Sequence, residues 1–259
     1  MHKDFYRIFA LQKQLKMTKI MDKRNDPMGA AIRDFYETGK AARLRVFATG
    51  FDEDELPVAT LFRKEDDMPM LEKQALSLCK GHVLDVGAGA GCHSLALQAK
   101  GMQVTAIDIS PNSVEVMRQR GVKVALESDL YDECFMGQYD TVLMLMNGSG
   151  IIGRLEGMSK FFHRMKQLLA PEGFILMDSS DLRYIFENED GSLDIDLNDG
   201  YYGEMNYRMQ YKGIKGEPFD WLYVDFSTLS YYAEQNGFVA ELVAEGEHYD
   251  YLVRLMKIK

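Results

Sequence analysis

Cysteine is scarce in this chain, and long hydrophobic runs are absent from its sequence. The 259 residues include three cysteines, none of them in a C-x-x-C pair. We therefore expect reduced thiols, as in cytoplasmic proteins, and neither a disulfide framework nor a metal site. No stretch approaches the roughly 18 consecutive apolar residues that a membrane-spanning helix needs. The N-terminal residues also lack the apolar core of a signal peptide.

Positive charge is in deficit as well. The chain has 30 Lys and Arg residues against 40 Asp and Glu residues, a net charge of −10. This balance argues against a general nucleic-acid or anionic-membrane binder and leaves small molecules as the expected partners. Apolar residues make up 46% and charged residues 27%, which is ordinary for a globular protein. The length fits one domain, or one domain with a small addition, and we expect a monomer or homodimer.

The N-terminal stretch has the pattern of a basic amphipathic helix, with an apolar face formed by Phe5, Ile8, Phe9 and Leu15. We favour a terminal helix, mobile or docked, and keep a partner-binding arm as the alternative. A second helix is predicted from Pro27 to about Thr38, because Asp26 is a good N-cap residue and Gly39 a good stop.

The most informative stretch is VLDVGAGAGCHSLALQAKGMQVTAIDIS, Val83 to Ser110. An apolar strand runs into glycines, then a helix, then a second strand that ends in Asp108. The glycines follow the pattern G-x-G-x-G, at Gly87, Gly89 and Gly91. A dinucleotide fingerprint, G-x-G-x-x-G, would place its third glycine where Cys92 stands. The spacing therefore favours another nucleotide-type cofactor.

Two acids in this stretch bear on the identity of the cofactor. Asp85 lies two residues before the first glycine, where a carboxylate suits an ammonium and a sulfonium but repels a pyrophosphate. Asp108 could accept hydrogen bonds from two ribose hydroxyls, which a dinucleotide also has. Asp108 therefore indicates a ribose, and the glycine spacing together with Asp85 predicts S-adenosylmethionine. The alternative is that the glycines form a tight strand–helix turn that binds no ligand. The presence of a complete strand–turn–helix–strand unit disfavours this alternative.

Strands and helices alternate regularly after residue 82. Strands are predicted at 83–86, 103–107, 122–126, 139–145 and 173–178, with helices at 93–100, 111–120 and 158–169. This order predicts an α/β fold with a doubly wound, mostly parallel sheet. Ligands of such sheets bind beyond the carboxyl ends of the strands. The residues at or just after those ends are Asp85, Gly87, Asp108, Asn147 and Asp178.

The region from 182 to 224 alternates in a different way. Met205, Tyr207, Met209 and Tyr211 share one face of a predicted strand, and GIKG supplies a turn. Aromatic residues then alternate on the return strand, at Phe219, Trp221 and Tyr223. A helix at 226–236 and strands at 238–244 and 249–256 close the chain. The pattern predicts a β-hairpin inserted before the last part of the sheet.

These motifs resemble those of class I S-adenosylmethionine-dependent methyltransferases of the small-molecule type. VLDVGAGAG resembles the first motif, VTAIDIS the acidic second motif and ESDLYD the segment beside the adenine. YDTVLMLMNGSGIIG resembles the fourth motif, and LLAPEGFILM the turn before the fifth strand. The resemblance implies a Rossmann-like, seven-stranded sheet with an antiparallel last strand. It covers about residues 71–178 most strongly, and the closing helix and strands also fit it. From the chain pattern we expect a domain at 71–259 with a hairpin lid at 182–224, preceded by a helical and mixed extension at 1–70.

The resemblance also implies a set of residues that contact the cofactor. The glycine loop would let the backbone approach it, with Asp85 near its amino acid moiety. Asp108 would hold the ribose, and Asp129 the adenine amino group. Arg63, ahead of the first motif, would approach the cofactor's carboxylate, or else be a structural arginine. The whole expected set is Arg63, Asp85, Gly87, Ala88, Gly89, Gly91, His93, Asp108, Ile109, Asp129, Leu130, Met146 and Asn147.

Catalytic residues are harder to predict, because methyl transfer is an in-line displacement that depends on alignment and water exclusion. A general base is needed only when the acceptor carries a proton. Asn147 would lie near the methyl group. His248, in the loop EGEHYD, is the best base candidate if the preceding strand runs parallel to the core, with a solvated loop histidine as the alternative.

The acceptor is expected to be a small molecule. The chain has NGSG where nucleic-acid amino-methyltransferases carry an [Asn/Asp]-Pro-Pro-aromatic motif, so a clamp for a flipped base is missing. An aromatic and acidic lid would suit a cationic acceptor through cation–π contacts. The residues concerned are Tyr184, Tyr201, Tyr202, Tyr207, Trp221, Tyr223, Glu187, Glu189, Asp190, Asp194, Asp196 and Asp199. The favoured alternative is a hairpin core with a solvated acidic loop.

Three other functions compete with methyl transfer. Transfer of an aminopropyl-type group from a related cofactor is kept open by Asp178 and Asp181, which could surround an acceptor amine. A non-catalytic cofactor-binding module would retain the glycine loop without turnover. An NAD-dependent reductase comes last, because Cys92 replaces the third glycine.

Overall fold

The computed structural model describes residues 20–188, 190, 192 and 200–259. The predicted N-terminal amphipathic helix lies outside these residues, as do four of the predicted lid acids: Glu189, Asp194, Asp196 and Asp199. None of the helices within the described ranges is long and apolar enough to cross a bilayer.

Twelve strands and six α-helices are found in the described part of the chain. The strands are β1 (Leu44–Ala48), β2 (Asp54–Leu56), β3 (His82–Val86), β4 (Gln103–Asp108), β5 (Ala125–Glu127), β6 (Tyr139–Met144), β7 (Leu169–Ser180), β8 (Glu204–Tyr211), β9 (Ile214–Lys215), β10 (Phe219–Leu222), β11 (Phe238–Glu245) and β12 (Asp250–Lys257). The helices are α1 (Pro27–Thr38), α2 (Met70–Leu78), α3 (Cys92–Ala99), α4 (Pro111–Arg120), α5 (Met158–Leu168) and α6 (Phe226–Gln235).

The main sheet has seven strands in the order β11-β12-β7-β6-β3-β4-β5. Strands β3 to β7 pair in parallel, whereas β12 is antiparallel to both of its neighbours. The predicted α/β class, the seven strands and the antiparallel last strand are therefore confirmed. Because β11 runs in the same sense as β7, the loop after β11 lies at the edge where the parallel strands end.

The parallel strands are apolar on both faces because helices cover both sides of the sheet. On one face, Leu84 and Val142 pack with Phe161 and Met165 of α5 and with Leu229 of α6. On the other face, strand residues pack with α2 and α3, through Leu71, Leu76, Leu97, Leu143 and Leu176. The polar groups at the carboxyl edge are thus held on a rigid base.

Three predicted boundaries are wrong. The strand predicted at 173–178 begins at Leu169, directly after α5. The strand predicted at 122–126 begins only at Ala125, because the Val122 N–H closes the end of α4 on Met117 O (3.0 Å). The hairpin turn predicted at GIKG begins earlier, at Lys212 and Gly213, where Lys212 has a φ of 50°. Ile214 and Lys215 therefore lie on the return strand β9.

A second sheet joins residues far apart in sequence. Its order is β10-β8-β1-β2, with β9 also paired to β8. Strand β1, which precedes the main sheet in the chain, pairs with β8 of the inserted hairpin from Leu44↔Tyr211 to Ala48↔Tyr207. The predicted alternation of β8 is confirmed, since Met205 and Tyr211 are buried and Asn206 is exposed.

The second sheet packs on the carboxyl edge of the main sheet. Leu44 and Tyr211 share a cluster with Ala90 of the glycine loop, and Met146 after β6 packs against it. Farther along the hairpin, the Trp221 indole lies directly over Gly150. The inserted hairpin therefore covers the loops that follow β3 and β6.

Replacing Gly150 by alanine is expected to destabilise the protein. The added Cβ would lie 1.8 to 2.1 Å from three atoms of the Trp221 indole, so the hairpin would have to shift. Overpacking of this kind costs about 1–3 kcal/mol, or roughly 2–10 °C in the thermal midpoint. Thermal unfolding followed by circular dichroism measures the loss. Gly213→Ala is the control, since nothing lies within 4 Å of its added Cβ. Equal midpoints for the two variants would contradict the packing described.

Candidate functional site

The glycine loop between β3 and α3 depends on backbone conformations that glycine favours. Gly87, Gly89 and Gly91 have φ values of 68°, 55° and 81°, in the left-handed region that strains other residues. A Cβ at Gly91 would also lie 2.9 Å from Val122 and 3.0 Å from Met117 of α4. The close packing at the start of α3 thus occurs at Gly91. This explains how the buried side chain of Cys92 is accommodated at the next position.

Asp108 fixes the glycine loop from the neighbouring strand. One carboxylate oxygen accepts the Gly89 N–H and the other the Ser110 N–H, each at 2.8 Å. Burial raises the pKa of Asp108 to about 6, against the opposing effect of these two donors. Each oxygen keeps a lone pair for a further hydrogen bond, which suits a ligand with two adjacent hydroxyls.

The N-terminal segment is tied to the loop after β4. Asp26 caps α1 by accepting the Gly29 N–H at 2.7 Å. Its second oxygen accepts the Ser110 hydroxyl at 2.6 Å and the Asn112 amide at 3.0 Å. The Met21 N–H donates to the carbonyl of Ile109 at 2.8 Å. The sequence predicts only the capping role of Asp26, because no local pattern identifies its partners more than 80 residues away.

A buried charged cluster lies beside Asp85. The His93 ring donates to Glu72 at 2.8 Å, and the other oxygen of Glu72 accepts from the Arg63 guanidinium. Burial would lower the pKa of His93, but its contacts with Cys92 and Glu72 outweigh burial and raise the pKa to about 10. The ring is therefore a cation at neutral pH. Glu72 was missed by the sequence analysis, since a glutamate within a helix usually faces solvent.

Asp85 itself is almost fully buried and accepts the Ser94 hydroxyl at 2.5 Å. Burial raises the pKa of this carboxyl, partly offset by the nearby charge of His93 and by Ser94. The end of β3 thus supplies the Asp85 carboxyl, and the start of α3 and the segment before α2 supply two cations, His93 and Arg63, which Glu72 holds together. A zwitterion is complementary to such an arrangement.

The loop after β6 is held by a second acid. Met146 and Asn147 have φ values of 67° and 58°, left-handed conformations that are strained for these side chains. The Asp178 carboxylate accepts the Met146 N–H at 3.0 Å and the Gly148 N–H at 2.9 Å. Backbone N–H groups that converge in this way form a nest for an anion. The Ser180 hydroxyl donates to Asn147 Oδ1 at 2.8 Å. The N–H₂ group of the Asn147 side chain is then the part of that side chain that could donate to a ligand.

Comparison with known proteins identifies the family. The family model described as a methyltransferase domain matches residues 83–173. The crystal structure of a SAM-dependent methyltransferase from Bacteroides fragilis, in complex with S-adenosyl-L-homocysteine, is 62% identical to this chain. The match covers 93% of this chain and 99% of that chain, with a TM-score of 0.89. This chain belongs to the SAM-dependent methyltransferases.

Other relatives are more distant. The putative methyltransferase YqeM of Bacillus subtilis (strain 168) is 29% identical over 104 residues, which is 38% of this chain and 42% of YqeM. The chain thus matches less than half the length of this curated relative. The CcbJ methyltransferase of Streptomyces caelestis is 13% identical with a TM-score of 0.59, covering 92% of this chain and all of that one, and shares the fold. The predictions of family, enzyme and cofactor are confirmed.

The remaining predicted site residues of the methyltransferase lie along the same edge. Asp129 follows β5, is buried, and accepts the Tyr131 N–H at 2.9 Å. Leu130 is buried in the main core. His248 lies in the loop after β11, as the topology predicts, with an exposed side chain, and its N–H donates to Asp250 at 3.0 Å. Asp129 and Leu130 are thus buried, whereas His248 and Gly87 of the predicted set are exposed.

Most lid aromatics of the methyltransferase have structural partners. The Tyr201 hydroxyl donates to Asp225 at 2.7 Å and the Tyr202 hydroxyl to Asp181 at 2.8 Å. Asp225 in turn caps α6 by accepting the Thr228 N–H at 2.9 Å. These contacts favour the interpretation of a packed hairpin core for those residues. The exposed rings of Tyr184 and Tyr249 stack on each other, with their centroids 4.9 Å apart.

Replacing Asp178 by asparagine is expected to loosen the loop after β6. One acceptor oxygen becomes an N–H₂ donor that faces a backbone N–H, which costs about 1–3 kcal/mol. Amide hydrogen exchange at Met146 and Gly148 should accelerate accordingly, as measured by NMR. Asp190→Asn serves as an exposed control. Unchanged protection of both amides in Asp178→Asn would show that the acid does not hold the loop.

Proposed function

We propose that this methyltransferase transfers the methyl group of S-adenosylmethionine to a small-molecule acceptor at the carboxyl edge of the main sheet. The observation that carries this proposal is the position of Asp108, whose carboxylate bridges the glycine loop and the loop after β4 while keeping acceptor capacity on both oxygens. The ribose of the cofactor would lie at Asp108, and its amino acid end would lie at the cluster of Arg63, Glu72 and His93.

The residues present fit the cofactor. Arg63 Nε is buried and lacks a hydrogen-bond partner within the ranges that the structure describes, so this end of the site holds an unused donor for an anion. Arg63 and His93 would face the cofactor's carboxylate, and Asp85 its ammonium group. Asp108 would hold the ribose. Ile109, Asp129 and Leu130 would surround the adenine, and Met146 and Asn147 would lie beside the methyl group.

The bound cofactor supplies a methyl group already activated on a sulfonium, so the chain's task is binding, orientation and exclusion of water. The second sheet covers the loops after β3 and β6, which would keep water away from the transfer. The Asn147 amide would donate to the acceptor or to the cofactor. His248 would accept a proton from acceptors that carry one at working pH.

Two observations support a small acceptor over a nucleic acid. The loop after β6 is NGSG, and Trp221 lies on its Gly150, so the hairpin occupies space above this loop. The net charge of −10 would also repel a polyanion. We further propose a cytoplasmic enzyme, monomeric or homodimeric, with its catalytic domain at 71–259, a lid at 182–224 and an N-terminal extension at 1–70.

Binding of S-adenosylhomocysteine is expected to depend on pH through Asp108. The ionised carboxylate accepts from two hydroxyls, whereas the protonated acid has lost one acceptor oxygen. Because the pKa of Asp108 is about 6, affinity should be full well above pH 6 and decline as the pH falls through 6. Asp108→Asn should bind about tenfold or more weakly above pH 6, with a flatter pH profile. Calorimetric titration measures both effects, with the exposed Asp66→Asn as control. A pH profile of Asp108→Asn identical to that of the unmodified protein would contradict this assignment.

The acceptor class is tested with S-adenosylmethionine carrying a tritiated methyl group. We expect label to appear in small amines, phenols or thiols from a compound panel, and to disappear with Asp108→Ala. Bulk tRNA and double-stranded DNA are included as competing acceptors. Label in the nucleic-acid fraction alone would overturn the small-molecule proposal.

A further inference from the structure

We infer that Glu72 is a positioning residue that holds Arg63 and His93 as a buried pair of cations, and that this pair makes the site select cofactors that retain the amino acid carboxylate. The inference rests on the proposed cofactor site and adds to it a residue from α2, outside the glycine loop. The reaction itself does not require Glu72 to touch the cofactor.

The geometry gives Glu72 two different partners. One oxygen accepts from the His93 ring at 2.8 Å, and the other accepts from the Arg63 guanidinium. All three side chains are at most 8% exposed. Arg63 is held from its other side by the carbonyl of Thr60, in the turn Val58–Phe62. Three segments that precede or follow β3 therefore converge on one carboxylate.

The charges of the cluster do not cancel within it. Arg63 and His93 contribute two positive charges and Glu72 one negative charge, so the three side chains carry one net positive charge. Buried charges are stable only when paired. Asp85 lies close enough to His93 to favour the charged form of its ring. Once Asp85 pairs with the ammonium group of a ligand, the net positive charge of the cluster needs another anion. A carboxylate on the same ligand supplies that anion.

Arg63 provides the second, independent observation. Its Nε atom is buried and has no hydrogen-bond partner among the described residues, although both terminal nitrogens are engaged. A charged donor left without a partner in the interior is costly. A ligand carboxylate would satisfy it. Glu72 and Thr60 together fix the guanidinium, so the orientation of Nε is determined before any ligand arrives.

The test compares two ligands that share the adenosine and the thioether. S-adenosylhomocysteine has the amino acid moiety, whereas 5′-methylthioadenosine lacks it. Calorimetry on the full chain should show that the unmodified protein prefers S-adenosylhomocysteine. Glu72→Gln should lower the affinity for S-adenosylhomocysteine about tenfold or more while changing that for 5′-methylthioadenosine by less than about twofold. The expected readout is a loss of selectivity.

The matched control is Glu65→Gln, the same change in the turn between Arg63 and Glu72, where Glu65 pairs with Lys100 at 2.6 Å near the surface. Its selectivity should equal that of the unmodified protein. Arg63→Lys is the second variant, which keeps the positive charge but removes Nε, and it should lose selectivity in the same way. If Glu72→Gln fails to fold, Glu72→Asp takes its place, because it keeps the charge but shortens the reach to both cations.

The outcomes separate the inference from the proposed function. If the unmodified protein binds neither ligand, the proposed cofactor site is wrong. If it binds both equally, the site stands and the inference is overturned. If Glu72→Gln weakens both ligands in proportion, Glu72 supports the fold and does not position the cations. Unchanged selectivity in a folded Glu72→Gln, or in Arg63→Lys, also overturns the inference.

Discussion

The structure depends on one repeated interaction, a partly buried carboxylate that accepts backbone N–H groups at the carboxyl edge of a parallel sheet. Loops that leave such an edge abruptly cannot satisfy their own N–H groups. Asp108, at the end of β4, holds the loop after β3, and Asp178, in β7, holds the loop after β6. In each case the acid comes from the strand next to the loop. The sheet's register therefore sets the relative position of the two loops between which a cofactor would lie.

The second sheet depends on those two loops in turn. Once the loop after β6 is fixed, Gly150 offers a flat backbone surface on which Trp221 rests. Met146 and Ala90 offer apolar contacts to the cluster around Leu44 and Tyr211. The hairpin is thus built on the loops after β3 and β6 rather than hinged beside them. Because β1 pairs with β8, the N-terminal segment and the hairpin stabilise each other. Without this pairing β1 would keep only β2 as a partner, β8 would keep only β9 and β10, and each would expose one edge.

The sequence allowed prediction of the elements whose signals are local. The glycine loop, Asp108 at a strand end and the alternation of β8 each follow from a few neighbouring residues, and the order of elements predicts the main sheet. The partners of Asp26 and Glu72 could not be predicted in this way. Asp26 contacts Ser110, 84 residues away, and Glu72 contacts His93 on another helix. The local sequence around an N-cap aspartate or a helical glutamate is the same whether or not a donor from a distant segment binds its carboxylate.

The acceptor chemistry is constrained by what the lid side chains already do. Burial holds the pKa values of Tyr201 and Tyr202 far above their usual range, so neither phenol is ionised at neutral pH. Their hydroxyl protons are also committed to Asp225 and Asp181. These tyrosines therefore cannot take a proton from an acceptor. Under the proposed function, either a group at the open edge such as His248 removes the proton, or the acceptor arrives with a free lone pair. Under the proposed function, selectivity for the cofactor and activation of the acceptor therefore fall to different, separately mutable residues.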